Sequence, residues 1–126
     1  MDLPPPTDAE LDLLRVLWDR GPSTVREVHD VIAPARPIGY TTVLKQMQVM
    51  HRKGLVSRVE RYRSHVYQAR QSRMQTQRQL AGVMLRQVFQ GSAHGLLQSA
   101  LAGRKVGREE LAEIRKLLED HERRTK

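Results

Sequence analysis

Residues 38–59, IGYTTVLKQMQVMHRKGLVSRV, hold the pattern around which the rest of the chain is organised. At about 100° per residue, Val43, Leu44, Met47 and Met50 fall on one side of a helix. Thr41, Thr42, Lys45, Gln46, Val49 and Arg52 fall opposite, with Tyr40 at the start. The first face suits a core. The second carries hydroxyls, an amide and two cations without a carboxylate, whereas a solvated helix face usually mixes both signs and gains from i,i+4 pairing. Gly54 can close the helix by taking a left-handed position at low cost, and Leu55 opens a β-prone, basic run. Helix, glycine and basic strand together outline a winged helix-turn-helix whose exposed helix face suits a polyanion.

The charge distribution agrees. The net charge is +8 over 126 residues, and its placement matters more than its size. Residues 39–79 carry nine Lys and Arg against one acid, Glu60; residues 1–38 carry four against seven, and residues 80–126 nine against six. Solubility alone requires no such segregation, whereas a phosphate backbone does select for it. The length allows one ordinary domain, or a domain of about 70 residues with an appendage. The absence of cysteine excludes disulfides and thiolate metal sites and is compatible with a reducing compartment. No basic leader precedes an apolar run and no apolar stretch reaches the roughly 18 residues of a membrane span, so a soluble, cytoplasmic protein is expected.

N-terminal to the central stretch, residues 2–6 are proline-rich and expected to be loosely held. The sequence Thr7-Asp-Ala-Glu10 reads as a capping box. Leu11, Leu14, Leu17 and Trp18 follow at helical spacing until Gly21-Pro22, which predicts a first helix over residues 8–20 with Trp18 as a core anchor. Ser23 or Thr24 caps a short second helix, Glu27 is placed to answer Thr24, and Val25, Val28 and Ile32 form its apolar face. Ser23, Thr24 and Arg26 there could grip a phosphate with the free N–H groups of the helix end, or simply cap it. C-terminal to the central stretch, residues 55–62 and 65–69 are β-prone around Arg63-Ser64, which predicts a hairpin wing. Arg58, Arg61 and Arg63 along it would meet sugar and phosphate, and Tyr62 and Tyr67 are expected to pack the hairpin onto the body.

Beyond residue 71 the period is helical again. Leu80, Val83, Met84, Val88 and Phe89 form one apolar stripe, Leu96, Leu97, Ala100 and Leu101 a second, and Leu111, Ile114, Leu117 and Leu118 a third. Stripes this numerous in so short a segment bury poorly within one chain. They either fold back on the first domain or, the favoured reading, pack against a second copy. The expected fold is mainly α with a small β-hairpin: a winged helix-turn-helix domain over residues 1–72 and a C-terminal helical dimerisation arm over residues 73–126.

The segments AELDLLRVLWDRGPSTVREVHDVI (residues 9–32), GYTTVLKQMQVMHRKGLVSR (residues 39–58), QVFQGS (residues 87–92) and LAEIRKLL (residues 111–118) resemble, in order and spacing, the winged-helix repressors of penicillinase and methicillin-resistance genes, a family that also includes copper-responsive repressors. The resemblance covers nearly the whole chain. It implies a homodimer on an inverted-repeat, double-stranded DNA operator, blocking transcription. In the β-lactam-responsive members a membrane-bound sensor metallopeptidase cuts an Asn-Phe bond of the arm; the matching positions here are Ser99 and Ala100, so release by cleavage at residues 99–101 needs a partner of different preference. The copper-responsive members use a cysteine-rich motif, which this chain lacks.

Other functions fit less well. The five histidines, His29, His51, His65, His94 and His121, are scattered, with no HExxH, nucleophile elbow or glycine-rich phosphate loop. No enzyme activity, metal site, cofactor or small-molecule ligand is expected. A winged helix can also bind protein or RNA, but specific RNA recognition stacks splayed bases on aromatics, and aromatic residues make up only 4% of this chain.

Overall fold

A computed structural model describes residues 4–125. The element order is α1 (Asp8–Arg20), β1 (Ser23–Thr24), α2 (Val25–Ile32), α3 (Tyr40–Lys53), β2 (Val56–Arg61), β3 (Ser64–Ala69), α4 (Arg73–Gln87), α5 (Ala93–Ala102) and α6 (Arg108–Arg124). Among the described residues no helix is long and apolar enough to cross a membrane. The chain divides into two compact units, one ending at Ala81 and the other beginning at Gly82.

In the first unit, both capping boxes form. The Thr7 amide donates to Glu10 Oε1 at 2.9 Å and the Glu10 amide to Thr7 Oγ1 at 3.2 Å. Thr24 and Glu27 repeat the arrangement, so Thr24 is the cap of α2. Gly54 ends α3 at φ 85°, and the Leu55 amide donates to the Met50 carbonyl at 2.9 Å, which satisfies carbonyls that the helix end would otherwise leave bare. The core takes Leu14 and Leu17 from α1, Val28 and Ile32 from α2, and Val43, Met47 and Met50 from α3 where the periodicities place them, closed by Val56 and Tyr67 of the sheet; Leu13 joins it from α1, while Leu11 and Leu44, expected on the apolar faces, are only half-buried.

Four features differ from expectation. The wing is not a two-stranded hairpin alone, because β1 joins it in a three-stranded antiparallel sheet of order β1-β3-β2, with Ser23 opposite Tyr67 and Thr24 opposite Val66. A two-residue strand has no alternation to read, and only its distant partner makes it one. The turn lies at Tyr62-Arg63, with Arg61 opposite Ser64, one residue earlier than Arg63-Ser64. Tyr67 is fully buried, as expected, whereas Tyr62 is 94% exposed, because the earlier turn takes Tyr62 out of the paired strand. Finally, Pro6 is buried rather than loosely held; positions 2 and 3 lie outside the described residues.

The first unit also includes the start of α4. The Trp18 indole N–H donates to the Gln71 carbonyl at 3.0 Å, the Arg73 guanidinium lies over the Trp18 ring and pairs with Asp19, and Thr76 is buried. Trp18 is thus a half-buried anchor between α1 and the segment after the wing. The expected division fell between residues 72 and 73; packing keeps residues 73–81 with the first unit.

The second unit, from Gly82, contains the end of α4, then α5 and α6. Ser92 caps α5 through a 2.9 Å hydrogen bond from the Gly95 amide. No described residue of α5 or α6 is buried. Val88 and Leu117 are 61% and 62% exposed, Met84 and Leu118 are exposed too, and Leu96, Leu97, Leu101, Leu111 and Ile114 are only half-buried.

Candidate nucleic-acid interface

The exposed side of α3 carries Thr41, Thr42, Lys45 and Arg52. Its opposite side is anchored by three fully buried residues, Val43, Met47 and Met50, so the orientation of the cationic side is fixed by core packing. Gly39 precedes the helix without a side-chain cap, which leaves backbone N–H groups of its first turn directed outward. The turn before α3 is pinned from α2. His29 Nε2–H donates to the Ile38 carbonyl at 2.9 Å; an acceptor there makes Nε2 the protonated nitrogen. The Arg26 guanidinium lies 4.7 Å from the centroid of the Tyr40 ring, and the His29 ring meets Tyr40 edge-on.

Gln46 is placed differently from the reading expected of it. It lies at the border of the core face, and its side-chain oxygen is buried without a hydrogen-bond partner. A bidentate contact with adenine needs both the oxygen and the NH2 of the amide, so it would require another rotamer. A buried acceptor left unmatched costs about 1–3 kcal/mol. Gln46→Met is accordingly expected to raise stability by about 1 kcal/mol while leaving any sequence preference in place. Denaturant unfolding and binding to variant duplexes would check both; loss of preference would return readout to Gln46.

At the N-terminus of α2 the capping reading accounts for the geometry. Ser23 is fully buried, its hydroxyl donating to the Gly21 carbonyl at 2.8 Å, which removes that side chain from any phosphate contact. The Thr24 amide already has the Glu27 carboxylate, which also takes Arg20 at 2.5 Å. The Thr24 amide, then Arg20, hold the Glu27 carboxyl below its ordinary range. Arg26 remains exposed.

The wing adds the second cationic surface. Arg58 is half-buried, with Nη1 donating to the Tyr67 hydroxyl at 3.3 Å, while Arg61 and Arg63 are exposed at the tip. Arg63, Ser64 and His65 share a groove with Thr24, Arg26, Tyr40 and Leu44, which places the wing tip beside the start of α3. At the other end of α3, desolvation and then the positive charges of Arg58, His65, Arg52 and Arg70 lower the pKa of His51 below its ordinary 6.5. The like-charge part of that lowering marks a surface of positive potential, the kind a polyanion relieves.

Two features of this surface were not legible beforehand. Tyr62 lies in the turn and not against the body because cross-strand pairing sets where the turn falls, and His29 gains its role only where folding sets it against Ile38 and Tyr40. Among the described residues no cluster of His, Asp and Glu could hold a metal ion.

Comparison with known proteins agrees with this arrangement. The "Penicillinase repressor" family model matches residues 6–120. Two relatives named "Transcriptional regulator BlaI", from Mycobacterium tuberculosis strains CDC 1551 / Oshkosh and ATCC 25618 / H37Rv, are each 32% identical over 118 residues, covering 91% of this chain and 83% of theirs. Among solved structures the chain is similar to a MarR family protein from Bacillus stearothermophilus, with a TM-score of 0.53 and 21% identity over 98% of this chain and 78% of that one; this likeness concerns the fold alone. A winged helix with a cationic α3 and wing, matched over nearly its whole length, identifies the chain as a member of the penicillinase repressor family of non-enzymatic transcriptional regulators.

Proposed function

We propose that this protein represses transcription by binding duplex DNA as a homodimer on an inverted-repeat operator, with α3 in the major groove and the wing on the flanking backbone. The observation that carries the reading is the set of exposed cations, Lys45 and Arg52 on α3 with Arg61 and Arg63 on the wing, in a region, residues 39–79, whose one acid is Glu60. Thr41, Thr42 and Lys45 lie on the N-terminal half of α3, the half that reaches base edges in helix-turn-helix proteins; Arg26, Arg52, Arg58, Arg61 and Arg63 are then phosphate and sugar contacts. The dimer is supported by the exposed apolar stripes on the end of α4 and on α6, which a second copy would cover. Two such domains read two half-sites and multiply their binding.

Release by cleavage of the arm fits the same design. Ser99 and Ala100 are exposed near the end of α5, a helix with no buried residue and hence low resistance to local opening. A membrane-bound sensor metallopeptidase with a preference for small residues would be the partner.

Gel-shift titration with duplex DNA, single-stranded DNA and RNA of equal length tests the core of this reading: duplex binding should dominate, and equal affinity for all three would leave only a non-specific basic surface. Within duplexes, Lys45→Ala should relax preference at one base pair per half-site by about 1–3 kcal/mol. Arg61→Ala should weaken all sequences alike and reduce the salt slope by about 1. Loss of affinity in both variants without any change of preference would place readout outside α3. For release, immunoblots during derepression should reveal a shortened chain, and full-length protein persisting throughout would exclude cleavage.

A further inference from the structure

The tip of the wing presents a side chain that phosphate binding does not use. Tyr62 is 94% exposed, so its ring adds almost nothing to the core. It also sits in an unfavourable backbone. Tyr62 and Arg63 form the two-residue turn at φ 51° and 66°, a left-handed conformation in which Asn, Asp and Gly are the low-cost residues. Strain of this kind, kept at a surface tip with no packing in return, accompanies functional contacts. Arg61 and Arg63 are exposed on either side, and the groove shared by Arg63 and Ser64 with Tyr40 and Leu44 sets the tip next to the start of α3.

We propose that the Tyr62 ring enters the minor groove of duplex DNA next to the segment read by α3, with Arg61 and Arg63 on the phosphates to either side. This rests on the DNA-binding reading above and deepens it. Geometry selects the groove. Paired strands lie about 4.8 Å apart before side chains are added, and the minor groove is about 6 Å wide, so the ribbon stays outside while a single ring at its narrowest point enters edge-on. Chemistry then sets a preference. The guanine N2 amino group stands on the floor of the minor groove and obstructs a ring, whereas A·T pairs leave the floor open, and A-rich segments narrow the groove and strengthen its attraction for arginine. Tyr62 therefore makes the protein select A·T pairs at positions that α3 does not touch.

The test uses a duplex selected by the full-length protein from a random-sequence pool, with the pairs flanking the α3 site changed from A·T to G·C or to inosine·C. Inosine·C has the major-groove edge of G·C but lacks the minor-groove amino group. The wild type should bind A·T and inosine·C flanks alike and G·C flanks about tenfold more weakly. Tyr62→Ala should bind all three equally, about tenfold below the wild type on A·T, with an unchanged salt slope because no charge is lost. Tyr62→Phe should retain the discrimination. Tyr62→Asn suits the left-handed turn and should unfold at no lower temperature, yet bind like Tyr62→Ala, which separates loss of the ring from loss of structure. Wild-type discrimination in Tyr62→Ala, or inosine·C behaving as G·C, would overturn the proposal while leaving DNA binding intact. Failure of the pool to yield any duplex would remove the DNA-binding reading itself, and this inference with it.

Discussion

Truncation after Ala81 is expected to give a folded monomer that binds an inverted-repeat duplex on the order of a hundredfold more weakly than the full-length protein. The magnitude follows from joining two half-site readers, a linkage worth about 10²–10⁴ in apparent affinity. The cut point follows from packing: residues through Ala81 belong to the first compact unit, so the winged helix retains the buried Thr76 and the Trp18 contacts to Gln71 and Arg73. Truncation after Arg73 should also monomerise the protein, but it removes Thr76 and the residues beyond it that pack beside Trp18, and should lower stability by about 2 kcal/mol. Sedimentation and anisotropy titration of both truncations check the pair of outcomes. Full-length protein sedimenting as a monomer at concentrations that saturate the operator would end the dimer model.

The largest stability effect is expected at Glu10. Its carboxylate is buried in the first turn of α1, where it accepts from the Thr7 amide at 2.9 Å and from Lys53 Nζ, in the last turn of α3, also at 2.9 Å. The anion lies at the positive end of one helix and the cation at the negative end of the other, so both helix dipoles favour the pair. Glu10→Ala breaks the capping box, worth about 1 kcal/mol, and strips Lys53 of its partner; a total loss of about 2–3 kcal/mol is expected. Acid should act on the same contact. Burial works to raise the Glu10 pKa, but the Thr7 amide and Lys53 outweigh it and hold it below its ordinary 4.5. A depressed carboxylate contributes stability that is present above the unfolded pKa and lost as pH falls through the folded one. Glu10→Gln can keep the hydrogen bond from Thr7 but not the charge, so it should unfold with a shallower acid dependence than the wild type. An unchanged denaturation midpoint in Glu10→Ala, or an unchanged acid slope in Glu10→Gln, would show that the pair contributes little.

Much of this molecule could be read along the chain because its signals are local. The periodicity of Leu14, Leu17, Val43, Met47 and Met50, the capping pairs Thr7 with Glu10 and Thr24 with Glu27, the Gly54 stop and the concentration of cations in residues 39–79 each depend on neighbours within a few positions, and all reappear in the fold. Tertiary structure alone decided the rest. Ser23-Thr24 is a strand only because Val66 and Tyr67 lie beside it. Gln46, grouped with the reading face along the chain, lies at the border of the core by packing, with its oxygen buried. Glu10 and Lys53, far apart in sequence, become one contact when α1 crosses the end of α3. The position of the wing turn is the sharpest case: a hairpin's register is set by pairing across the strands, and with the turn one residue earlier Tyr62 leaves the paired strand for the exposed tip, while Tyr67 stays in the core.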